Sequence, residues 1–325
     1  MTFLPEWEVG CQVTRSHAVE LTGNKRSFLK QVALNWDLLL LMLPVVAFFV
    51  IFAYIPMAGI VIAFKDYRLL DGLWGSKWVG LEQFKVLFET PSFYEVLRNT
   101  IVISSLRIVF GFPAPILMAL LLNELRGNVF KRVIQTISYL PHFLSWVVLA
   151  GIFLQFLSPS TGPINIILVK LGLKPVYFLG QKSTFVPTII VTGIWQSFGW
   201  GSIIYLAAIS GISPELYESA LLDGANRLQR IWYITLPSIL PTIVVLFILN
   251  TGSILNGGFD QIFNLYNDGV MSVADILDTY VYRRGLEGLQ YSFAAAVGLF
   301  KNGVGFLFVF ITNTIANKLG ESSLW

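Results

Sequence analysis

Six stretches of this chain are long and apolar enough to cross a lipid bilayer as helices. A bilayer core needs about 20 consecutive apolar residues per helix, and helices are suited to it because they satisfy their own backbone hydrogen bonds. With 55% hydrophobic residues, 13% charged residues and a mean hydropathy of +0.70, the chain lies outside the soluble range. We therefore predict an all-α, polytopic membrane protein with six transmembrane helices. The stretches run over about Leu38–Phe64, Thr100–Leu122, Ile137–Leu157, Phe185–Ile209, Leu240–Leu255 and Phe293–Ala316.

The fifth stretch is the shortest of the six. It reaches the length of a full crossing only if the preceding residues Ile231–Pro237 contribute part of a turn, or if the helix is tilted.

The first 36 residues are polar and contain no short apolar run with a cleavage site, so Met1–Trp36 is expected to be a retained surface tail. Cys11, the sole cysteine, cannot form an internal disulfide. His17 and His142 are far apart in sequence, and we expect both to be structural.

A polar segment, residues 213–237, separates the fourth stretch from the fifth. It opens with signals for a short helix: Ser213 as N-cap, Pro214 at the first helical position and Glu215 at the positive end of the helix dipole. An apolar face follows, and Gly224 is placed to end the helix in the left-handed conformation. Two interpretations remain open on these residues alone. The segment is either an interfacial helix between two spans or a surface on which another subunit docks, close to the small side chains of Ala220, Gly224 and Ala225.

Several polar or indole side chains lie inside the apolar stretches, where they are costly and usually face a pathway or a partner helix. Indoles stack on sugar faces, and amides and hydroxyls match sugar hydroxyls, so the set suits a saccharide path. The alternative is that these residues serve helix packing and interhelical hydrogen bonds. The set comprises Trp195, Gln196 and Trp200 of the fourth stretch, Asn250, Ser253 and Asn256 at the fifth, and Lys301 and Asn302 of the sixth.

Two positively charged residues within the apolar stretches, Arg107 and Lys301, are more specific indicators of the transported substrate. Arg107 lies about six residues inside its stretch, roughly 9 Å, so its guanidinium can partly reach the interface. Lys301 is near the middle of the sixth stretch, where a charge needs a partner. If both face a cavity, the translocated molecule is expected to be anionic. If they do not, Lys301 pairs with a carboxylate or carbonyl group of a partner subunit.

The spacing within the polar segment resembles the signature loop of the permease subunits of ABC importers. Ser219 is the one departure, since this family usually has alanine there, and serine is small enough to fit the same cleft. The resemblance implies a type I importer transmembrane domain whose loop docks into the ATP-hydrolysing subunit. The residues that carry it are Glu218, Ala220, Asp223 and Gly224, with Ala225 beside them, and then Ile234, Leu236 and Pro237.

The resemblance also decides the orientation, which charge counting leaves open. Lysines and arginines divide evenly, ten on each side of the expected spans. If Glu218–Pro237 faces the ATPases, both termini are cytoplasmic and the long loops are outside, in a bacterial inner membrane. The expected organisation is an N-terminal tail (1–36), a first transmembrane helix (37–64), a periplasmic loop (65–96), a permease domain (97–317) containing the coupling loop 213–237, and a C-terminal tail (318–325).

Three further segments narrow the resemblance to permeases of carbohydrate importers. Tyr54–Tyr67 and Gly252–Tyr266 look like the oligosaccharide and polysaccharide branch, and within it like the first permease subunits of bacterial alginate importers. Trp74–Phe88 resembles the first outer loop of sugar-importer permeases. The implied partners are a second homologous permease, two ABC ATPases that hold ATP and Mg²⁺, a periplasmic solute-binding protein and the saccharide. The chain would contact membrane lipid but no nucleic acid, and it needs no cofactor of its own.

Two other classes of protein were weighed against this one. An ion-coupled secondary transporter or channel is the first alternative, but it would favour paired intramembrane acids or inverted repeats, and the sequence has neither. A membrane-bound enzyme would need clustered histidines, cysteines or carboxylates within the spans, which are also absent. The chain has no G-x-x-x-x-G-K-[ST] phosphate loop, so we expect a transport subunit without a catalytic site.

Overall fold

The computed structural model describes residues 35–125, 127–320 and 324, which fall into two units divided after Ala58. Within the first unit, helix α1 (Trp36–Phe49) continues through a π-helical turn (Val50–Tyr54) into α2 (Ile55–Met57). The expected N-terminal tail, with Cys11 and His17, lies outside the described residues except for its last two positions. Most of the expected C-terminal tail is outside them as well.

The second unit begins with a short two-stranded region and ends with a long helix. A 3₁₀ segment (Ala58–Phe64) leads into strand β1 (Lys65–Asp66), which pairs antiparallel with β2 (Lys77–Trp78), with Lys65 opposite Trp78. The helices that follow α1 and α2 are α3 (Gly72–Gly75), α4 (Glu82–Glu89), α5 (Pro91–Leu106), α6 (Pro113–Glu124), α7 (Asn128–Tyr139), α8 (Trp146–Phe156), α9 (Pro163–Lys170), α10 (Lys182–Ser210), α11 (Pro214–Leu222), α12 (Arg227–Arg230), α13 (Leu236–Thr251), α14 (Phe259–Leu265), α15 (Met271–Ala274), α16 (Leu277–Val281) and α17 (Tyr291–Lys318).

The described residues contain five helical stretches that are long and apolar enough to span a bilayer, and a sixth if a bent pair counts as one span. Besides the first stretch, which contains the π-helical turn Val50–Tyr54, two more stretches contain a π-helical turn that joins successive helices. Arg107–Gly111 joins α5 to α6, and Ile231–Thr235 joins α12 to α13. The fifth span therefore does include its lead-in, as the sequence predicted. The five stretches are Trp36–Phe64, Pro91–Glu124, Lys182–Ser210, Arg227–Thr251 and Tyr291–Lys318.

The third predicted span, Ile137–Leu157, differs from the expected uninterrupted helix. The helical segments Asn128–Phe143 and Trp146–Phe156 meet at an angle of 104°. Pro141 has no backbone N–H to continue the helix, and the chain tightens into a 3₁₀ turn over Leu140–Phe143. Ser145 then starts α8, because its side chain accepts a hydrogen bond from the Val148 N–H at 3.4 Å.

Apolar side chains divide between an outer surface and three internal clusters of the described residues. Many large ones, such as Leu121 at 67% exposure, remain on the outside of the spans, as expected where lipid is the solvent. One cluster joins α5, α8, α10 and α14, a second joins α4, α5, α16 and α17, and a third joins α6, α10 and α13. Helices α7 and α10 approach closely at Gly199, where any Cβ would overlap the Ser138 carbonyl oxygen.

Candidate functional sites: the signature loop and a polar cavity

The signature loop (residues 213–237) begins with helix α11 and a glycine cap. Gly224 has a φ of +79°, and two hydrogen bonds close the helix: Ala225 N–H to the Ala220 carbonyl at 2.8 Å and Gly224 N–H to the Leu221 carbonyl at 3.1 Å. These bonds form a Schellman motif, so the predicted left-handed cap is confirmed. Ser213 occupies the N-cap position, but its side chain makes no capping hydrogen bond. The predicted position of the N-cap is therefore confirmed, without the side-chain hydrogen bond that often accompanies it.

Helix α11 presents its side chains outward. None of its residues is buried, and Glu218 is exposed. Leu216, Leu221 and Leu222 are 52%, 54% and 90% exposed, although they belong to an otherwise polar loop. No atom lies within 4 Å of where a Cβ of Gly224 would be. The loop is therefore a convex, partly apolar surface that the described part of this chain leaves uncovered.

Two local contacts hold the loop in place. The Tyr217 hydroxyl shares a hydrogen bond of 2.9 Å with the Thr235 hydroxyl, and Thr235 is only 1% exposed. Asn226 and Gln229 form a reciprocal capping box at 2.8 and 3.0 Å, which starts helix α12. This box was not predicted from the sequence, although a capping residue followed three positions later by glutamine is its signature. The loop is thus fixed to the start of the fifth span, near Ile234, Leu236 and Pro237.

A polar cavity of about 650 Å³ lies among α5, α6, α8, α10, α13 and α14. Five of the nine residues predicted for the substrate pathway line it, although they come from separate parts of the chain: Arg107, Gln196, Asn250, Ser253 and Asn256. Ser104, Ser197, Tyr205, Asp260 and Gln261 add further polar groups to its wall. The lining therefore offers amides, hydroxyls, one guanidinium and one carboxylate.

Arg107 is the cation of the polar cavity. Its Nη2 donates to Gln261 Oε1 at 2.5 Å, and its Nε is buried without a partner. Gln261, 1% exposed, is held in turn because its amide donates to the Ile189 carbonyl at 2.8 Å and to Thr192 Oγ1 at 2.9 Å. None of the ion pairs among the described residues involves Arg107. A positive charge is therefore presented to the cavity with no carboxylate bound to it.

Lys301 does not line the polar cavity. Its ammonium group forms an ion pair with Asp278 of α16 and donates to Asn256 Oδ1 at 3.3 Å. Both charged side chains are only 20% exposed. The expectation that Lys301 either faces the cavity as a free cation or pairs with another subunit was wrong, because its counterion belongs to the same chain. Asp278 lies 23 residues before Lys301, and no sequence pattern marks it as the counterion.

The remaining predicted pathway residues lie elsewhere. Trp195 lines a separate, apolar cavity of about 680 Å³ between α8, α9 and α10, where its ring meets Phe153 edge-on. Trp200 stacks on His142 with ring centroids 4.9 Å apart. Asn302 is exposed on α17 and lines none of the described cavities. Of the indole and amide side chains predicted on α10, only Gln196 faces the polar cavity.

A partly buried ion pair organises the segment between the fifth and sixth spans. Arg283 donates two hydrogen bonds to Asp275, at 3.2 and 2.6 Å, and the Asp275 side chain is 9% exposed. Hydrogen bonding to Asp275 raises the pKa of the Arg283 guanidinium above its usual value, so the arginine stays charged. Asn99 of α5 donates to the carbonyls of Ser272 and Asp275. These contacts fix the segment that carries Asp278 against helix α5.

Comparison with known proteins finds related sequences over most of the chain. Residues 111–319 match the family described as the binding-protein-dependent transport system inner membrane component. The chain is 47% identical over 311 residues to Protein LplB of Bacillus subtilis, covering 96% of this chain and 98% of the relative. It is 45% identical over 301 residues to the polygalacturonan/rhamnogalacturonan transport system permease protein YteP of the same organism, covering 93% and 94%.

A solved structure resembles the chain over almost its whole length. It is the crystal structure of a bacterial alginate ABC transporter in complex with an alginate pentasaccharide-bound periplasmic protein. One of its chains superposes with a TM-score of 0.84 at 42% sequence identity, covering 92% of this chain and 100% of that chain. Since the family match covers well over half of the sequence, this chain belongs to the binding-protein-dependent transport system inner membrane components.

Proposed function

We propose that this chain is one permease subunit of an ATP-driven importer that moves an acidic oligo- or polysaccharide, such as an alginate-like polyuronate, from periplasm to cytoplasm. The observation that carries the proposal is the polar cavity, which holds one guanidinium without a bound carboxylate among amides and hydroxyls. A saccharide presents hydroxyls to the amides, and a uronate carboxylate suits Arg107 because a guanidinium offers two parallel donors to a carboxylate.

The relatives support the same substrate class. The relative YteP is named as a permease for polygalacturonan and rhamnogalacturonan, and the similar solved structures are of importers of alginate, described as an acidic polysaccharide. Within this chain, the acidic-substrate hypothesis rests on Arg107 and no longer on Lys301, because the charge of Lys301 is already balanced by Asp278.

Coupling to ATP hydrolysis is proposed to occur through the signature loop. The partners are a second homologous permease, two ABC ATPase subunits that hold ATP and Mg²⁺, and a periplasmic solute-binding protein. The exposed leucines of α11 and the open space around Gly224 suit a cleft in an ATPase subunit. In this arrangement both termini are cytoplasmic, and the segments 65–96 and 256–290 face the periplasm.

The test is co-purification followed by reconstitution in liposomes. The chain is expressed with its neighbouring transport genes, and we expect a second permease and an ATPase to purify with it. ATP hydrolysis is then measured with binding protein and with trimers of uronic acid or of the matching neutral sugar. We expect stimulation by the acidic trimer well above that by the neutral one. Equal stimulation would contradict the acidic substrate, and a chain that purifies without an ATPase would contradict ATP-driven import.

A further inference from the structure

Helix α14 carries a stripe of aromatic rings on one face. Phe259, Phe263 and Tyr266 are spaced four and three residues apart, so they lie on the same side of the helix. Tyr282, at the start of the π-helical segment Tyr282–Glu287, joins them. The ring centroids of Phe259 and Phe263 are 5.0 Å apart, those of Phe263 and Tyr282 are 4.9 Å apart, and those of Phe263 and Tyr266 are 6.1 Å apart. We call these four residues the aromatic face.

The aromatic face is not the side by which α14 packs into the protein. That role belongs to Gln261, Ile262 and Leu265, which are at most 2% exposed. Phe259, Phe263 and Tyr282 belong to none of the three apolar clusters of the described residues, whereas Tyr266 packs against one of them. All four rings remain partly exposed. Phe259, Phe263 and Tyr282 contact one another, with ring centroids 4.9 to 5.6 Å apart.

The aromatic face is continuous with the polar cavity. Phe259 lines the cavity, and Phe263 and Tyr266 extend from it by roughly 10 Å along α14, at 1.5 Å per residue. Polar groups border the rings: Asp260 also lines the cavity, and the Asn264 amide donates to the Asp260 carbonyl at 2.7 Å. The stripe thus leads from the cavity wall along α14, within the segment between the fifth and sixth spans, with rings in the middle and polar groups at the edge.

We infer that the aromatic face is a second binding site for sugar rings, on which the saccharide stacks next to the polar cavity. A pyranose has one face of C–H groups with partial positive charge, and an aromatic ring has a negative face, so the two stack favourably. The polar border can bind the hydroxyls at the sugar edge. This inference rests on the proposed function and deepens it, since it assigns a site for a second part of the same saccharide chain. The aromatic face should therefore lower the KM for longer saccharide chains and hardly change it for a ligand that the cavity alone can hold.

The test compares two variants of Phe263 in the reconstituted transporter. Phe263→Leu keeps an apolar side chain but removes the ring, and Phe263→Tyr keeps the ring. We expect Phe263→Leu to raise the KM for long oligosaccharides on the order of tenfold, equivalent to about 1.4 kcal/mol, and to change the KM for a disaccharide little. Phe263→Tyr should behave like the wild type. Phe310→Leu, at an exposed ring of α17 that lines none of the described cavities, is the matched control and should have no effect.

Each other outcome overturns the inference in a distinguishable way. Equal KM values for Phe263→Leu and Phe263→Tyr, or a rise that is the same for all chain lengths, would mean that the ring does not bind the saccharide. Loss of the second permease on purification of Phe263→Leu would make the aromatic face a contact between subunits. A wild-type transporter that does not respond to saccharides at all would instead refute the proposed function on which the inference depends.

Discussion

The signature loop and the polar cavity are built in opposite ways. The loop comes from one continuous segment, its helix has no buried residue, and its conformation is set by the local cap at Gly224 and a capping box at Asn226. The cavity is assembled from distant parts of the chain, such as those carrying Arg107 and Gln261, which are 154 residues apart. Its wall depends on buried contacts such as the one between Gln261 and Thr192.

This difference separates two kinds of function. A local, exposed loop can dock on another subunit without the rest of the fold changing its shape. A cavity built from several helices changes whenever those helices move, so its affinity for a ligand can differ between conformations. In this account the loop transmits the motion that ATP hydrolysis drives, and the cavity responds to it.

The first prediction is all-or-none and concerns the sides of the membrane on which the two regions lie. A cysteine in place of Asn226, in the loop, should be labelled by a membrane-impermeant reagent only from the cytoplasm. A cysteine in place of Asn267, which is exposed just beyond the aromatic face, should be labelled only from the periplasm. The native Cys11 is first replaced by serine. The reverse pattern would contradict both the orientation and the docking of the loop.

The second prediction concerns the loop alone. Gly224→Trp should reduce substrate-stimulated ATP hydrolysis by more than tenfold, equivalent to about 1.4 kcal/mol or more, because a large side chain prevents close approach at the docking surface. The variant should still insert in the membrane. Gly224→Asn is the matched control for the cap, since asparagine tolerates positive φ, and it should retain more activity. Normal stimulation in an assembled Gly224→Trp complex would refute the docking role.

The third prediction concerns the ion pair beside the cavity. Lys301→Met leaves Asp278 without its counterion and should destabilise the protein by about 3 to 5 kcal/mol, seen as a lower Tm of the purified complex. The double variant Lys301→Met/Asp278→Leu should recover most of this loss, since it removes both charges. If the single variant instead keeps its Tm and selectively loses acidic substrates, Lys301 binds the substrate and the pairing is incidental.

The sequence was sufficient to predict the parts of this fold that depend on local residues. The apolar stretches predicted the spans, and the capping signals at Ser213–Glu215 with the apolar face that follows predicted a helix that ends at Gly224, because caps and helix periodicity are local. The break within the third span was not predicted, although Pro141 and Ser145 both mark it. In a membrane protein, proline alone is a weak signal because neighbouring helices can satisfy the freed carbonyl groups.

The candidate cavity could be predicted only in part. Polarity within an apolar stretch identified Arg107, Gln196 and Asn250, but it could not distinguish a side chain that faces a cavity from one that pairs or stacks with a neighbour. Lys301 and Trp200 show this limit, because Asp278 and His142 approach them only in the folded chain. Gln261 was missed because it lies outside the spans, where a glutamine carries no cost that would mark it.

The central claim is that the polar cavity binds an acidic sugar through Arg107. The most direct measurement is ATP hydrolysis by the reconstituted transporter, stimulated by acidic and by neutral oligosaccharides of equal length, for wild type, Arg107→Lys and Arg107→Gln. We predict that Arg107→Gln raises the KM for the acidic ligand about tenfold or more, equivalent to about 1.4 kcal/mol, and leaves any response to the neutral ligand unchanged, with Arg107→Lys in between. An Arg107→Gln transporter that still prefers the acidic ligand as strongly as the wild type does would contradict the account.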